Sequence, residues 1–375
     1  IASLNYSLES SQNIFLVIII LYIYMLKKII FFLMINISKS NSFFNHKNEF
    51  HLAKQYFNYL NKNKIEKNYL LYDNGEDKYI NLAKEKYDNY KIFESNYQKI
   101  EKINKKNKSI KLELNKFADQ VNFDDDDLHD DLMKINYRPN INPFSFFKRF
   151  FNNKKLPPKL IWDNKTISNV KNQGLCGSCW AFSTTNLIEA NMRINNYTTV
   201  RLSEQELVDC SNENYGCDGG LMHLALDYCI ESKGLTSNEQ YPYVAKTNEC
   251  SLNNNVTLEK VIGSNITNYE FIIPKSSYDI MKSLQNGPIS IALDANTFLF
   301  RFYKEGVIDI PSHRSKDINH AVLLTGYDSD ENGKYWIIQN SWGNDWGDNG
   351  YAKIRIRNGD GTLLCQLYGV YIPKV

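Results

Sequence analysis

One stretch of this sequence decides the fold, and it reads Gln173-Gly174-Leu175-Cys176-Gly177-Ser178-Cys179-Trp180-Ala181-Phe182-Ser183. It carries two cysteines three positions apart, and the whole chain of 375 residues has seven cysteines. An odd number leaves at least one thiol unpaired in an oxidising compartment. A redox pair or half of a zinc site would also use this spacing, but no second close pair with a nearby histidine completes four ligands. We therefore favour a reactive thiol, and we expect no metal and no cofactor.

Cys179 is the candidate nucleophile. The thiolate is the reactive form, so this position needs something that lowers the pKa of its thiol. A helix that begins at Cys179 would present its positive dipole end, and an imidazolium at His320 would pair with the thiolate. Asn340 can accept a hydrogen bond from the other imidazole nitrogen, and Trp342 would shield that bond from water. Gln173 can donate its side-chain amide, together with the Cys179 backbone N–H, to the oxyanion that forms during attack.

The order of these residues resembles the papain and cathepsin group of cysteine proteases. The Cys-Gly-Ser-Cys-Trp core is a signature of that group, His320 follows Cys179 by 141 positions, and Asn340-Ser341-Trp342-Gly343 comes next. The resemblance implies an endopeptidase that cleaves peptide and protein substrates through a thioester acyl-enzyme. It also implies an α+β, papain-like fold of two subdomains, a helical half and an antiparallel β half with the active-site cleft between them. His223 and His313 are the other histidines of the enzyme portion.

The residue pattern agrees with that fold class, because helical signals come first and strand signals follow. Ser203 and Glu206 form a capping box that predicts a helix from Glu204. A second helix is predicted after Gly219-Gly220, ending near Gly234. Short runs rich in Val, Ile, Tyr and Phe predict strands at 289–293, 321–327, 335–339 and 351–356.

Residues 41–155 differ in composition from the rest, since they are rich in Asn, Lys and Tyr and contain no Cys. A helix is predicted over 85–104, and its residues resemble the interspersed pro-region motif of the cathepsin L-like group. The matching positions are Glu85, Phe93, Asn96, Ile100 and Asn104, with Asn89 where the motif has Arg. Asn115-x-Phe117-x-Asp119 resembles the second pro-region motif, with Glu113 in place of its leading Gly. The resemblance implies an inhibitory pro-region at 41–155 that folds over the cleft of a peptidase domain at 156–375.

The resemblance also implies two disulfides in the helical half, which join Cys176 to Cys217 and Cys210 to Cys250 and leave Cys179 free. The family usually has a third bridge, for which Cys365 matches one end, but no cysteine occurs shortly before His320 to match the other. Cys229 stands at helical spacing with Leu221 and Ala225, so we expect it to be a buried core thiol.

Substrate selection is expected at positions that align with the second specificity pocket of the family. The side chains of this pocket are all apolar, which favours substrates with Leu, Phe or Val two residues before the scissile bond. Gly219 and Gly220 leave backbone groups open for pairing with an extended peptide. The expected substrate-binding set is Gly219, Gly220, Leu221, Met222, Ala292, Ala321, Trp342 and Val370.

The bulk properties bear on partners and on the compartment. Lys and Arg number 44 against 42 Asp and Glu, a net charge of +2, so no nucleic-acid partner is expected and we expect a monomer. Residues 1–40 contain apolar runs that predict either a signal peptide, if translation starts at Met25, or a membrane anchor for the precursor. Both place the protein in the secretory pathway, with a lysosome, an acidic vacuole or the outside as its destination. The Asn-x-Ser/Thr sequons at Asn107, Asn164, Asn196, Asn255 and Asn265 agree with that route.

Two other functions remain open at this point. A papain-like fold can serve as a non-catalytic protein that binds peptides, although the presence of every catalytic position argues against this. A membrane-anchored adhesin would rest only on the amino-terminal apolar runs.

Overall fold

The computed structural model describes residues 76–120, 155–198, 200–253, 258–272, 277–309, 318–356 and 369–372, together with residues 52, 55, 56 and 59; the side chains of 76–87 and 253 lie outside this description. The chain divides into two compact units, residues 1–72 and 73–375, and every element discussed below belongs to the second. The signal or anchor predicted for residues 1–40 lies outside the described residues. Among the residues that are described, no helix has the length and apolar character to span a membrane.

The second unit combines helices and short strands, as the resemblance implied. The helices are α1 (Glu76–Lys106), α2 (Cys179–Ile194), α3 (Glu204–Cys210), α4 (Met222–Glu231), α5 (Ser277–Ser283) and α6 (Phe298–Arg301). The strands are β1 (Ile110–Leu112), β2 (Leu160–Ile161), β3 (Glu270–Phe271), β4 (Ile289–Leu293), β5 (Tyr303–Gly306), β6 (His320–Asp330), β7 (Gly333–Gln339), β8 (Tyr351–Arg355) and β9 (Gly369–Tyr371).

An antiparallel sheet forms the second half of the enzyme portion. Its strands lie in the order β3, β9, β4, β6, β7, β8, and β2 pairs with the far end of β6. All five residues of β4 are buried, which explains why all of them except Ser290 are apolar. The four strands predicted from the sequence are confirmed, with β6 and β7 extending further than their apolar runs because the pairing continues into a hairpin at Asp330 and Gly333.

The helical half packs on this sheet through α2, which contacts β4 and β6. Helix α2 begins at Cys179, as expected. Disulfides join Cys176 to Cys217 and Cys210 to Cys250, so both expected pairings are present. Cys229 is a fully buried free thiol, which confirms its assignment to the core.

Only one of the two hydrogen bonds of the capping box predicted at the start of α3 is formed. The Ser203 hydroxyl accepts from the Glu206 N–H at 2.9 Å, as a capping residue should. The Glu206 carboxylate does not return to Ser203, because the Ser203 N–H already donates to the Thr236 carbonyl oxygen at 2.9 Å. Glu206 instead accepts from the backbone N–H and the hydroxyl of Thr236, both at 2.7 Å, and from the ammonium of Lys260.

A buried ion network connects α2 and α3 to the segment that leads into Gln173. The ammonium of Lys171 lies 2.7 Å from Glu189 and 2.6 Å from Glu204, with all three side chains almost inaccessible to solvent. Burial disfavours the charged carboxylate of Glu204, but Lys171 and then Arg201 outweigh it and hold the pKa of Glu204 below its ordinary value. Because removal of one partner would leave a buried charge unpaired, this network fixes the segment before Gln173 against α2.

Helix α1 carries the predicted pro-region motif, although the side chain of Glu85 lies outside the described residues. Phe93 and Ile100 are buried on one face, as the spacing predicted. Asn96 Nδ2 donates to the Ala118 carbonyl oxygen at 3.0 Å. The Asn104 amide both donates to the carbonyl oxygen and accepts from the N–H of Leu112, at 2.9 and 2.8 Å. The asparagines of the motif therefore hold the chain that returns after the helix.

That returning chain binds to the enzyme portion as strand β1, which pairs antiparallel with β5. Glu113 stands where the family motif has Gly, and the structure accommodates this departure at the end of the strand. Its N–H donates to the Phe302 carbonyl oxygen at 2.9 Å, and its carboxylate pairs with Lys304 at 3.2 Å. The side chain at this position is thus exposed to solvent and pairs with a cation.

Candidate active site

Cys179 is the first residue of α2 and is partly buried. Its thiol packs beside Ala321, the residue that follows His320, at the start of β6. Burial raises the pKa of the Cys179 thiol, while the backbone N–H groups of Ala321, Trp180 and Cys179 itself oppose that rise. These donors only oppose the rise, so the lowered thiol pKa that the sequence led us to expect is not present in this precursor, where burial outweighs them.

His320 and Asn340 form a hydrogen-bonded pair in the interior. His320 opens β6 opposite Leu293 of β4, and Asn340 follows the last residue of β7. The distance from His320 Nε2 to Asn340 Oδ1 is 2.7 Å, and the Ser341 N–H donates to the same oxygen at 2.8 Å. Because the amide oxygen accepts, Nε2 carries a proton, which leaves Nδ1 as the nitrogen that can exchange a proton elsewhere.

The charge state of His320 depends on burial and on a neighbouring cation. Only 6% of the residue is exposed, and this burial lowers the pKa of His320 to about 4. The hydrogen bond to Asn340 opposes the shift, whereas the positive charge of Lys116 adds to it. In this arrangement the imidazole and the thiol are both neutral at mildly acidic pH.

Gln173 is held in a fixed orientation by three hydrogen bonds. Its Nε2 donates to the Cys176 carbonyl oxygen at 2.9 Å, and its Oε1 accepts from the Ser341 hydroxyl at 2.6 Å. Its backbone N–H donates to the Ser341 carbonyl oxygen at 2.9 Å. One of the two amide hydrogens on Nε2 is engaged, so the second is available to another acceptor.

Trp342 covers the histidine. Its ring lies 4.8 Å from the His320 imidazole, with an interplanar angle of 35°. Phe300 packs edge-on against the indole at 5.5 Å, and Trp346 does so at 5.4 Å. This aromatic cluster excludes water from one side of the imidazole.

Residues of the pro-region motif reach the same cluster. The Phe117 ring meets the Trp342 ring edge-on at 4.8 Å, and the Arg301 guanidinium lies over Phe117 at 5.0 Å. Asn115 Nδ2 donates to the Arg301 carbonyl oxygen at 2.7 Å. The side chain of Lys116 points toward the indole, and its ammonium is 3.3 Å from the Trp342 carbonyl oxygen.

The residues predicted for the second specificity pocket are only partly gathered together. One buried apolar cluster contains Met222, Ala292, Ala321 and Val370. Ala292 and Ala321 are directly opposed on β4 and β6. Leu221 is partly buried at the start of α4 and lies outside that cluster.

Gly219 and Gly220 precede Leu221 in a tightly packed segment. Gly219 adopts φ 122°, a conformation that favours glycine. A Cβ on Gly220 would lie 2.5 Å from Asn214 Oδ1 and 2.7 Å from the Trp180 ring. Only glycine fits here without displacement of its neighbours.

Three residues around the site were not predicted from the sequence. Tyr243 and Ser341 hold the Gln173 segment, and Lys116 lies against Trp342. Ser341 was quoted within the Asn-Ser-Trp-Gly run without a role, and its position beside Asn340 was the available signal. Tyr243 and Lys116 gave none, because they are distant in sequence from the residues that they contact.

Three comparisons place the chain among known proteins. Residues 156–368 match the family model described as papain family cysteine protease. A KDEL-tailed cysteine endopeptidase of Arabidopsis thaliana is 37% identical over 273 residues, which cover 71% of this chain and 73% of that protein. Procathepsin L of Mus musculus is 42% identical over 210 residues, which cover 53% of this chain and 60% of that protein. The chain therefore belongs to the papain family of cysteine proteases.

Solved structures agree with this assignment. Digestive procathepsin L2 proteinase from the larval midgut of Tenebrio molitor aligns with a TM-score of 0.68 and 28% identity, covering 86% of this chain and 100% of that chain. That relative is a proform, as is the recombinant stem bromelain precursor, which aligns with a TM-score of 0.66, 27% identity and coverage of 86% of this chain and 98% of that chain. The α+β papain-like fold is thus confirmed, and the chain is a cysteine endopeptidase zymogen whose pro-region binds its own protease portion.

Proposed function

We propose that this zymogen gives rise to an endopeptidase that works through Cys179, His320 and Asn340, with Gln173 as an oxyanion donor. The observation that carries the proposal is the 2.7 Å hydrogen bond from His320 Nε2 to Asn340 Oδ1. It fixes the ring and the tautomer, so that Nδ1 is the nitrogen available to a nucleophile. Cys179 supplies that nucleophile at the amino end of α2, where the dipole favours an anion.

The steps follow from these positions. The Cys179 thiol transfers its proton to His320, and the thiolate attacks the peptide carbonyl. The negative charge that develops on the carbonyl oxygen accepts from the Cys179 N–H and from the free amide hydrogen of Gln173. His320 then gives its proton to the departing amine, which leaves a thioester on Cys179. His320 then takes a proton from water, and the resulting hydroxide attacks the thioester carbonyl. The C–S bond breaks to release the carboxylic acid product, and the thiolate of Cys179 recovers the proton from His320.

The pro-region inhibits the enzyme until it is removed, in our proposal. Support comes from its contacts with the aromatic cluster at Trp342 and from its strand pairing with β5. Residues 41–155 would be lost at mildly acidic pH, giving a mature chain that starts near Leu156. The second motif also places the buried side chain of Asp119 in the docked segment.

The proposed substrate preference is for an apolar side chain two residues before the cut. Met222, Ala292, Ala321 and Val370 share one apolar cluster and offer no charge to a basic side chain. Burial of a Leu or Phe side chain is worth roughly 1.5–3 kcal/mol, whereas an Arg would be left without a partner.

The proposed route is the secretory pathway, toward an acidic vacuole, a lysosome or the outside. Two disulfides support an oxidising compartment. A KDEL tail in the name of one relative, together with procathepsin L as another, agrees with secretory or vacuolar transport.

The two free cysteines among the described residues provide a matched test of the nucleophile. Cys179→Ala should abolish hydrolysis of a fluorogenic peptide by the matured enzyme and leave the fold intact. Cys229→Ala removes a thiol of the core and should retain turnover, with only modest loss of stability. Full activity in Cys179→Ala, or labelling of a thiol other than Cys179 by an active-site epoxide, would refute the mechanism and favour a non-catalytic binding protein.

A further inference from the structure

The catalytic helix begins with an unusual cap. Ser178 is the residue before α2 and is fully buried, yet its side chain accepts no hydrogen bond from the first turn. A serine at this position ordinarily caps the helix by accepting from an N–H of the first turn. Here the backbone carbonyl oxygen of Ser178 accepts from Ala181 and Phe182, at 2.9 and 3.2 Å. The hydroxyl is therefore occupied elsewhere.

Its partner is the Tyr243 hydroxyl, at 2.6 Å. The same phenol lies 2.7 Å from the Gln173 carbonyl oxygen. A carbonyl oxygen can only accept, so the single phenolic hydrogen goes to Gln173, and Ser178 must donate to Tyr243. The Tyr243 ring packs edge-on against Phe182 of α2 at 4.8 Å, which fixes the direction of the hydroxyl. The three groups form one directed chain from Ser178 to Gln173.

This chain leaves the first N–H groups of α2 uncapped. Hydrogen bonding by the backbone N–H groups of Trp180 and Cys179 lowers the pKa of the Cys179 thiol, and the positive end of the helix dipole likewise favours its anionic form. A serine hydroxyl released from Tyr243 could rotate and accept from the Trp180 N–H, because an N-cap side chain accepts from the second or third residue of its helix. The dipole end that serves the nucleophile would then be partly neutralised.

We infer that Tyr243 is a positioning residue of this protease, which keeps the Ser178 hydroxyl away from the first turn of α2 and so preserves the reactivity of Cys179. The inference rests on the proposed function, because it assumes that Cys179 is the nucleophile. Tyr243 touches neither the thiol nor the imidazole through the bonds described, and it acts through Ser178 and Gln173.

The phenol remains protonated at working pH. Burial raises the pKa of Tyr243, the hydrogen bond with Ser178 opposes this, and the charges of Glu204 and Cys179 raise it further. Those two groups are the titratable neighbours that act on the hydroxyl in the described part of the chain. The directed chain therefore keeps its polarity over the pH range in which the enzyme works.

The test compares variants of the enzyme matured from the full-length precursor. Tyr243→Phe keeps the ring and removes only the hydroxyl. We expect the rate of iodoacetamide alkylation of Cys179 at pH 5 to fall roughly five- to tenfold, the scale of a lost helix-terminus interaction, with kcat reduced and KM within twofold of wild type. Tyr241→Phe is the matched control, because its hydroxyl bonds to Asp209 at 2.9 Å, away from the site, and it should leave alkylation unchanged.

The double variant Tyr243→Phe with Ser178→Ala distinguishes a specific effect of the Ser178 hydroxyl on α2 from nonspecific disruption of the structure by loss of the Tyr243 hydroxyl. It lacks the hydroxyl that would cap α2, so alkylation of Cys179 should recover to within twofold of wild type. An unchanged alkylation rate in Tyr243→Phe, or a loss that the double variant does not reverse, overturns the inference. If Tyr243→Phe does not fold, Ser178→Ala alone tests the inference. This variant has no hydroxyl that could cap α2, so Cys179 should react at the wild-type rate, and a fivefold loss of thiol reactivity would contradict the role given to Tyr243. A wild-type enzyme in which Cys179 is not the alkylated thiol would instead refute the proposed function.

Discussion

The ammonium of Lys116 lies 3.3 Å from the backbone carbonyl oxygen of Trp342 and 5.9 Å from the centroid of that indole. A cation of the pro-region is thereby placed against the ring that covers His320. Burial lowers the pKa of Lys116 to about 8, and the charge of Asp345 opposes that shift. Lys116 is therefore charged at acidic and neutral pH, and it disfavours the imidazolium that the proposed mechanism needs.

Lys116→Met should make His320 more basic in the precursor. The pKa of His320 is lowered to about 4 by burial, with Lys116 as a further cause, so loss of the cation should move this pKa upward by several tenths of a unit. NMR titration of the His320 ring in the inactive Cys179→Ala precursor would measure it. Lys111→Met is the control, because Lys111 is exposed and pairs with Glu305 at 3.2 Å. Equal titration of His320 in both variants would contradict this electrostatic role.

The stability of the precursor should fall as the pH drops from about 6.5 toward 4. The folded pKa of His320 is about 4, below its ordinary 6.5, so in this window the unfolded chain binds more protons and unfolding is favoured by acid. The full effect of that shift is roughly 3 kcal/mol, reached below pH 4.

Denaturant unfolding of the Cys179→Ala precursor at pH 7 and pH 5 would measure this dependence. His320→Gln should remove much of it. His223→Gln should remove less, because the pKa of the half-buried His223 is lowered to a lesser extent by burial and is raised in part by Asp227. The same slope in wild type and in His320→Gln would show that other groups control acid destabilisation.

Asn104→Ala should hasten maturation. The substitution removes both hydrogen bonds to Leu112, and with them the constraint that holds β1 in position to pair with β5. Loss of one or two such bonds costs about 1–3 kcal/mol, so the docked pro-region should weaken at least fivefold. The rate of conversion of precursor at pH 5, followed by gel and mass spectrometry, is the measurement. Lys105→Ala changes an exposed neighbour on the same helix and should convert at the wild-type rate.

Val370→Glu should raise kcat/KM for substrates that carry Arg two residues before the scissile bond. Val370 is a fully buried member of the apolar cluster that contains Ala292 and Ala321, and a carboxylate there would pair with a guanidinium. In the wild type we expect kcat/KM for Leu or Phe to exceed that for Arg at least tenfold, since about 1.4 kcal/mol is one decade. Val370→Gln has the same length without charge and controls for disruption of a fully buried site. Equal kcat/KM for Leu and Arg substrates in the wild type would show that Val370 does not line the pocket.

The sequence by itself determined the fold class, the start of the helix at Cys179 and the four main strands, and both disulfides followed from its resemblance to the papain family. These features depend on local pattern or on a dense motif. The Cys179 helix begins where its motif places it, and β4 is a short apolar run whose two faces are both buried. Helical spacing also placed Asn96 and Asn104 of α1 on one face, whereas their membership of a pro-region motif came from the family resemblance.

Only the tertiary structure decided which groups meet. Glu206 was expected to complete a capping box, but Thr236 and Lys260 come from distant segments and engage its carboxylate. Lys116 reaches Trp342 across 226 positions of chain, and Tyr243 reaches Gln173 across 70. Periodicity and motif spacing describe neighbours along the chain, whereas the pKa of a buried histidine and the direction of a hydroxyl depend on neighbours in space. The sequence was therefore enough to propose the reacting residues, but it did not reveal the groups that set their charge and orientation.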